Sequence, residues 1–458
     1  MINSVRSKAI ILMTMLCFAL AALWYLMPHP ALIVVICFLP LGALFVLNQT
    51  FWLVSLFVLF SFFRIHEAIP ALYSLKIPLL LSLGALSALM WHTLISRQIS
   101  PFWHPSFTWL AVFWLLVVIG AVLSSNPGLA ITYFKNIYWK IIIMTLAIAW
   151  LVDSQIAVRK IATLIILAGS LIAIVALYNS AAGIGLVEGS RVTIGRQLGS
   201  VLGDPNDLSL VLMFPLAFAL SFATTKGIGF SRLLGAIGLV LAMSAVIATQ
   251  SRGGLLGSVA VFGIFGLRLI RSKSLLIMIA IIGLSLLFAV AGISDRQSGG
   301  AAEEGIDASA MGRLYAWEAA FKMAIDNPLT GVGLNNFYAN YYFYSPHWDG
   351  LNHAVHSTWF GVLAETGFLG LAVFVGIIVS LVKTSRESLL LLTSIQHQTS
   401  PYLMATALAV YAGIVGTIVS GTFLTQGFTW PIYILAALCI AISRITQNYS
   451  QIEKTAQV

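Results

Sequence analysis

The stretch "IATLIILAGSLIAIVALY", Ile161–Tyr178, runs for eighteen residues without a charge. As an α-helix it is close to the length that crosses the roughly 30 Å hydrocarbon core of a bilayer. Comparable runs recur near 9–27, 31–47, 51–63, 77–95, 107–124, 134–152, 207–223, 233–250, 254–270, 275–293, 357–382, 402–424 and 428–443. The run at 51–63 is short and 31–47 holds Pro40, so either suits a re-entrant or interfacial piece, and twelve to fourteen spans are expected.

Composition agrees with this reading along the whole chain. Over 458 residues the chain is 60% hydrophobic and 9% charged, with a mean hydropathy of +0.98, where a soluble domain carries about 25% charged residues. An all-α, polytopic membrane protein follows. No polar block is large enough to fold separately, so residues 1–458 are expected to form one transmembrane domain. Cys17, Cys37 and Cys439 lie in apolar runs and imply no disulfide framework. The N-terminal "MINSVRSKAIILMTMLCFALAALWYLM" imitates a secretory signal but precedes many spans, and is expected to be an uncleaved first helix.

Lys and Arg near span ends set the orientation. Bases such as Arg97, Arg159, Lys160, Lys226, Arg232, Arg271, Lys383 and Arg444 fall on one side, so both termini are expected to be cytoplasmic. The net charge of +9 then reflects topology, and nucleic acid is not an expected partner. The two longest polar segments, 179–206 and the large loop 294–356, both emerge on the opposite side.

On that face several residues attract notice. In "TQSRGG" (249–254), Arg252 sits at a turn between two helices, where two glycines let the backbone approach a ligand and a helix N-terminus favours an anion. An interfacial arginine is the plainer alternative. In "DASAMGRLYAWEAAFKMAIDNP" (307–328), Leu314, Trp317, Phe321 and Ile325 recur at spacings of three and four, which predicts an amphipathic helix on the outer surface of the bundle, with Arg313 near its start. "NPLTGVGLNNF" (327–337) reads as a tight turn, because Gly-Val-Gly here lacks the strand and helix of a nucleotide loop.

"GSRVTIGRQLGSVLGDPNDL" (189–208) brings Arg191 and Arg196 to the same face as possible accessory anion ligands, and its "DPND" is a helix cap. His356 heads the run at 357–382, where a neutral imidazole can accept a proton, with His353 as the alternative. These two histidines find no third ligand, so neither a metal nor a cofactor is expected. Glu365 lies nine residues beyond His356, about 180° around a helix, and is expected to make a structural hydrogen bond.

Taken in order, "TQSRGG", "GRLYAWEAA", "NPLTGVGLNNF" and "HSTWFGVLAETGFLG", preceded by "GDPNDLSL", resemble the O-antigen ligase/polymerase superfamily over roughly residues 200–380. The sharpest element is His356-Ser357 followed, after nine residues, by Gly367. The resemblance implies a GT-C-like glycosyltransferase fold with a periplasmic loop bearing an amphipathic helix, in the bacterial inner membrane. It further implies that Arg252 and Arg313 bind the diphosphate of an undecaprenyl-diphosphate-linked glycan, and that His356 deprotonates an acceptor hydroxyl. That acceptor is expected to be lipid A core, with a growing glycan or a protein as alternatives. The polymerase alternative finds Gly263 eleven positions after Arg252, a weak coincidence in a glycine-bearing helix. A transporter would line its midplane with charges and show paired halves, and neither pattern is present.

Overall fold

The computed structural model describes residues 30–290, 308–395 and 399–456, together with 14–15, 17–19, 21–22 and 24–25. Most of the expected span at 9–27 therefore lies outside the described residues, as does the start of the long loop up to residue 307.

Helices dominate. In chain order they are α1 (Pro30–Asn48), α2 (Thr50–Phe63), α3 (Ile77–Ile95), α4 (Pro105–Val122), α5 (Pro127–Leu151) and α6 (Gln155–Ala182). There follow α7 (Pro205–Thr224), α8 (Phe230–Ala248), α9 (Arg252–Leu269), α10 (Lys273–Val290), α11 (Ala308–Asp326) and α12 (Phe337–Tyr344). The last three are α13 (Thr358–Ser394), α14 (Pro401–Gly421) and α15 (Trp430–Ala456).

Among the described residues nine helices are long and apolar enough to cross a membrane, or ten counting a bent pair as one span. That pair is Phe38–Asn48 with Thr50–Phe63, bent by 76°, so the two doubtful runs at 31–47 and 51–63 form one broken element. α9 and α10 occupy the runs expected at 254–270 and 275–293 without being among the nine. The chain is a multi-pass membrane protein.

Span starts are written in the sequence. His104, Asn126, Asp204 and Ser400 each accept a backbone N–H at the start of a helix, and a proline follows each of them. Proline in the first turn removes an N–H that would be orphaned there, while the preceding side chain satisfies another.

α7 and α15 are the most deeply buried spans, with α14 close behind. Helices packed in lipid gain little from hydrophobicity and depend on small residues that admit close backbones. A Cβ added at Gly169 of α6 would lie 2.4 Å from Pro215 Cβ of α7, and one at Gly235 of α8 would lie 2.6 Å from the Ala223 backbone nitrogen. Gly257 of α9 is pressed in the same way against Gly416 and Ser420 of α14. The first two contacts fasten α6 and α8 to α7, and the third brings α9 against α14.

Candidate functional site

The turn between α8 and α9 is built from its own side chains. Thr249 ends α8, Gln250 takes a left-handed φ of 52°, and the Ser251 hydroxyl accepts the Gly254 N–H at 3.3 Å. Its glycines allow close packing against protein. A Cβ on Gly254 would fall 1.6 Å from Ser209 Oγ on α7, and one on Gly253 would fall 3.2 Å from Phe423 Cβ. Arg252, the first residue of α9, is thus carried half-buried on a rigid corner.

α11 forms where the periodicity predicts it, with most of its large apolar stripe facing outward. Ala316, Ala319, Ala320 and Met323 are buried, whereas Leu314, Phe321 and Ile325 are 48%, 46% and 55% exposed. Small alanines allow α11 to lie close against α13, and the large apolar stripe is left on the outside, as befits a helix at a lipid boundary. Trp317 is the exception in that stripe: its ring stacks on Phe360 of α13 at 5.0 Å, and its indole N–H donates to the Val355 carbonyl at 3.0 Å. This anchoring sets Arg313, whose guanidinium lies 6.0 Å from the centre of the Phe423 ring. Phe423 is therefore a shared neighbour of the Arg252 corner and of Arg313.

The 327–337 segment is a tight turn with an unexpected seat. It wedges into a break in α13, where Gly367 has φ 68° and ψ −172°. The Phe368 N–H donates to the Pro328 carbonyl at 2.8 Å, and the Val332 N–H donates to the Ala364 carbonyl at 2.8 Å. Both partners demand glycine: a Cβ on Gly367 would lie 2.4 Å from the Pro328 oxygen, and one on Gly331, at φ 62°, 2.3 Å from the Ala364 oxygen. Glu365 fastens the joint by accepting the backbone N–H of Asn335 at 2.7 Å and of Phe337 at 3.3 Å. The carboxylate within the apolar run is thus structural, satisfying the start of α12.

His356 precedes α13 with a left-handed φ of 44°, and the Ser357 hydroxyl next to it caps the helix. Its imidazole is half-buried, and this burial holds its pKa below the ordinary value; the Asp204 carboxylate opposes the shift, while Arg313 and His353 add to it. Three groups on three separate segments therefore act electrostatically on one ring. Asp204, read from sequence as a helix cap, accepts the Asn206 and Asp207 N–H groups at 2.7 and 3.3 Å and also presents charge to His356.

Residues 237–375 match the O-antigen ligase family. The match covers under a third of the chain, and this segment is similar to the O-antigen ligases. No curated protein matches the chain. The matched segment begins in α8 and ends in α13, and it contains Arg252, Arg313, His353, His356 and Gly367. Asp204 and Phe423 meet it from outside.

The remaining candidates separate by geometry. His353 Nε2 lies 3.0 Å from both carboxylate oxygens of Asp349, an exposed pair in which the histidine hydrogen bond pulls the Asp349 pKa down. Arg191 is only 3% exposed; its Nε donates to the Thr249 carbonyl and its Nη2 to Asn206 Oδ1, so it clamps the 189–208 loop to the α8–α9 corner. Arg196 is exposed and donates to the Gly203 carbonyl at 3.2 Å.

Sequence reading missed the segment between α14 and α15, residues 422–429, because it is a short break between apolar runs. Thr358 Oγ1 donates to the Leu424 carbonyl at 2.7 Å and accepts the Gln426 N–H at 3.1 Å, while Gln426 Nε2 donates to Asp207 Oδ1 at 3.2 Å. Its signals in the sequence were the polar Gln426, Gly427 beside it and Gly421 just before the segment.

Proposed function

We propose that the chain is an inverting glycosyltransferase that moves a glycan from undecaprenyl diphosphate to an acceptor hydroxyl at the periplasmic face of the inner membrane. What supports this reading is the half-buried His356 imidazole, whose pKa burial lowers and on which Arg313 acts, with Phe423 meeting both Arg313 and the Gly253 backbone next to Arg252. The acceptor oxygen loses its proton to His356 as it attacks the anomeric carbon. The diphosphate departs, and negative charge grows where two fixed guanidiniums stabilise it.

The acceptor is lipid A core in this proposal, in keeping with the ligase description of the matched family. Expression in a ligase-deficient strain tests it on a lipopolysaccharide gel: capped core is expected. A ladder restored in a polymerase-deficient strain instead would assign chain extension, and a glycosylated protein would assign protein O-glycosylation.

Arg252→Lys and Arg313→Lys keep the charge but lose the planar fork that holds two phosphate oxygens at once. Each is expected to lower kcat/KM for the lipid diphosphate by at least about tenfold, equivalent to roughly 1.4 kcal/mol. Wild-type kinetics in both variants would reject the clamp.

The pH profile follows from the direction of the His356 shift. A base whose pKa lies below the usual histidine value stays unprotonated as pH falls through about 6.5, and is lost only at lower pH. We therefore expect kcat/KM to be level from about pH 8 to about 6.5, with an acid limb below that. An acid limb centred above pH 6.5 would contradict the assignment.

A further inference from the structure

A cavity of about 360 Å³ lies between α2, α3, α5 and the start of α15, within the size range of ligand sites. Its walls are mostly apolar, with Phe57, Phe62 and Leu79 among them, yet Lys140, Arg64 and His66 also line it. Lys140 stands midway along the α5 span. Among the described residues it has no hydrogen bond and no ion pair, whereas Arg64 is engaged by Glu67 at 2.9 Å. An ionisable side chain within a span is normally paired inside the protein or faces a cavity that serves a ligand.

Two further observations point to an occupant. On the turn beside Arg64, His66 lines the cavity and its Nδ1 is buried without a hydrogen-bond partner among the described residues. Native proteins leave few such atoms unsatisfied, and each calls for an explanation. On the facing wall α5 is wound as a π-helical turn, Phe134–Tyr138, a local widening that often marks functional positions. Asn136 and Ile137 of that turn line the cavity.

The cavity adjoins the His356 site. Gln426 lines it and binds Asp207, while Phe423, three residues earlier, faces Arg313. Leu202, two residues before Asp204, forms another part of the wall. The 422–429 segment thus lies between the cavity and the Arg313 side of the His356 site.

We propose that this cavity seats the acceptor, an amphiphile whose phosphate pairs with Lys140 and whose acyl chain lies along the apolar wall. It rests on the glycosyl-transfer reading only in naming the occupant as acceptor; the site itself stands on geometry. The cavity takes a phosphorylated lipid, so its source is either the acceptor or the bulk phospholipid of the membrane.

The test measures binding of phosphorylated lipid A, dephosphorylated lipid A and undecaprenyl diphosphate to the full chain in nanodiscs. Lys140→Gln is expected to weaken phosphorylated lipid A at least tenfold, Lys140→Arg to stay near wild type, and undecaprenyl diphosphate to bind all three equally. Asn136→Trp, which fills the cavity from an exposed position, is expected to give the same loss, and decides the matter if Lys140→Gln does not fold. Wild-type affinity in Asn136→Trp or in folded Lys140→Gln overturns the proposal, as does equal competition by phosphatidylglycerol, which would make this a bulk-lipid site. A wild-type chain that binds lipid A through Lys140 but transfers no glycan from the lipid diphosphate sinks the transfer reading and leaves this site standing.

Discussion

Replacing His356 with alanine is expected to lower glycan transfer by about 10²–10⁴-fold, the usual contribution of a positioned general base. The loss should fall on kcat, with KM for the lipid diphosphate little changed, because the charges that bind the donor belong to Arg252 and Arg313 in this proposal. The imidazole sits on a corner at φ 44°, where the helix cap at Ser357 and the hydrogen bonds of Thr358 to the 422–429 segment leave it little freedom. His353 is a poor substitute, since its Nε2 already faces the Asp349 carboxylate at 3.0 Å. A His356→Ala enzyme with more than about a tenth of wild-type kcat would remove the base from this residue.

Gly331→Ala is expected to destabilise the protein by about 3 kcal/mol or more. The added methyl would stand 2.3 Å from the Ala364 oxygen and 2.5 Å from the Glu365 carbonyl carbon, both backbone atoms that no rotamer change can move. Overpacking of this kind costs about 1–3 kcal/mol, and a left-handed φ adds roughly 1–2 more for a residue with a Cβ. The consequence extends to the site, since this turn braces the kink in α13 eleven residues after His356. Gly312→Ala is the control: it lies in α11 with nothing within 4 Å of the new Cβ, so it should be neutral or stabilise by up to about 1 kcal/mol. Thermal melts of the purified variants, run beside each other, decide the comparison. Equal melting temperatures would show that the joint yields without strain.

Particular residues show how much was legible beforehand. The capped prolines at 105, 127, 205 and 401 announce span starts from two adjacent letters, because cap and proline act locally. The periodicity of α11 was likewise visible, but its orientation was not: both an alanine face and a large apolar face are compatible with burial, and only the neighbouring α13 chooses between them. The glycines of "TQSRGG" show the same limit, since a glycine leaves room without saying whether a ligand or Ser209 will fill it.

By itself the sequence determined an all-helical membrane protein, the approximate positions of its spans, and the ordered segments that resemble the O-antigen ligase family. These depend on runs of hydrophobicity and on local caps, which act within a few residues. Only the tertiary structure decided that Asp204, Arg313 and His353 act on one imidazole, that Phe423 joins the two arginine-bearing segments, and that Glu365 fastens a turn rather than serving the histidine. It also opened the cavity beside Lys140. The physical reason is range. Electrostatics, close packing and cavities arise between segments far apart in the chain, 219 residues for Gln426 and Asp207, and their contacts leave no period in the letters that make them.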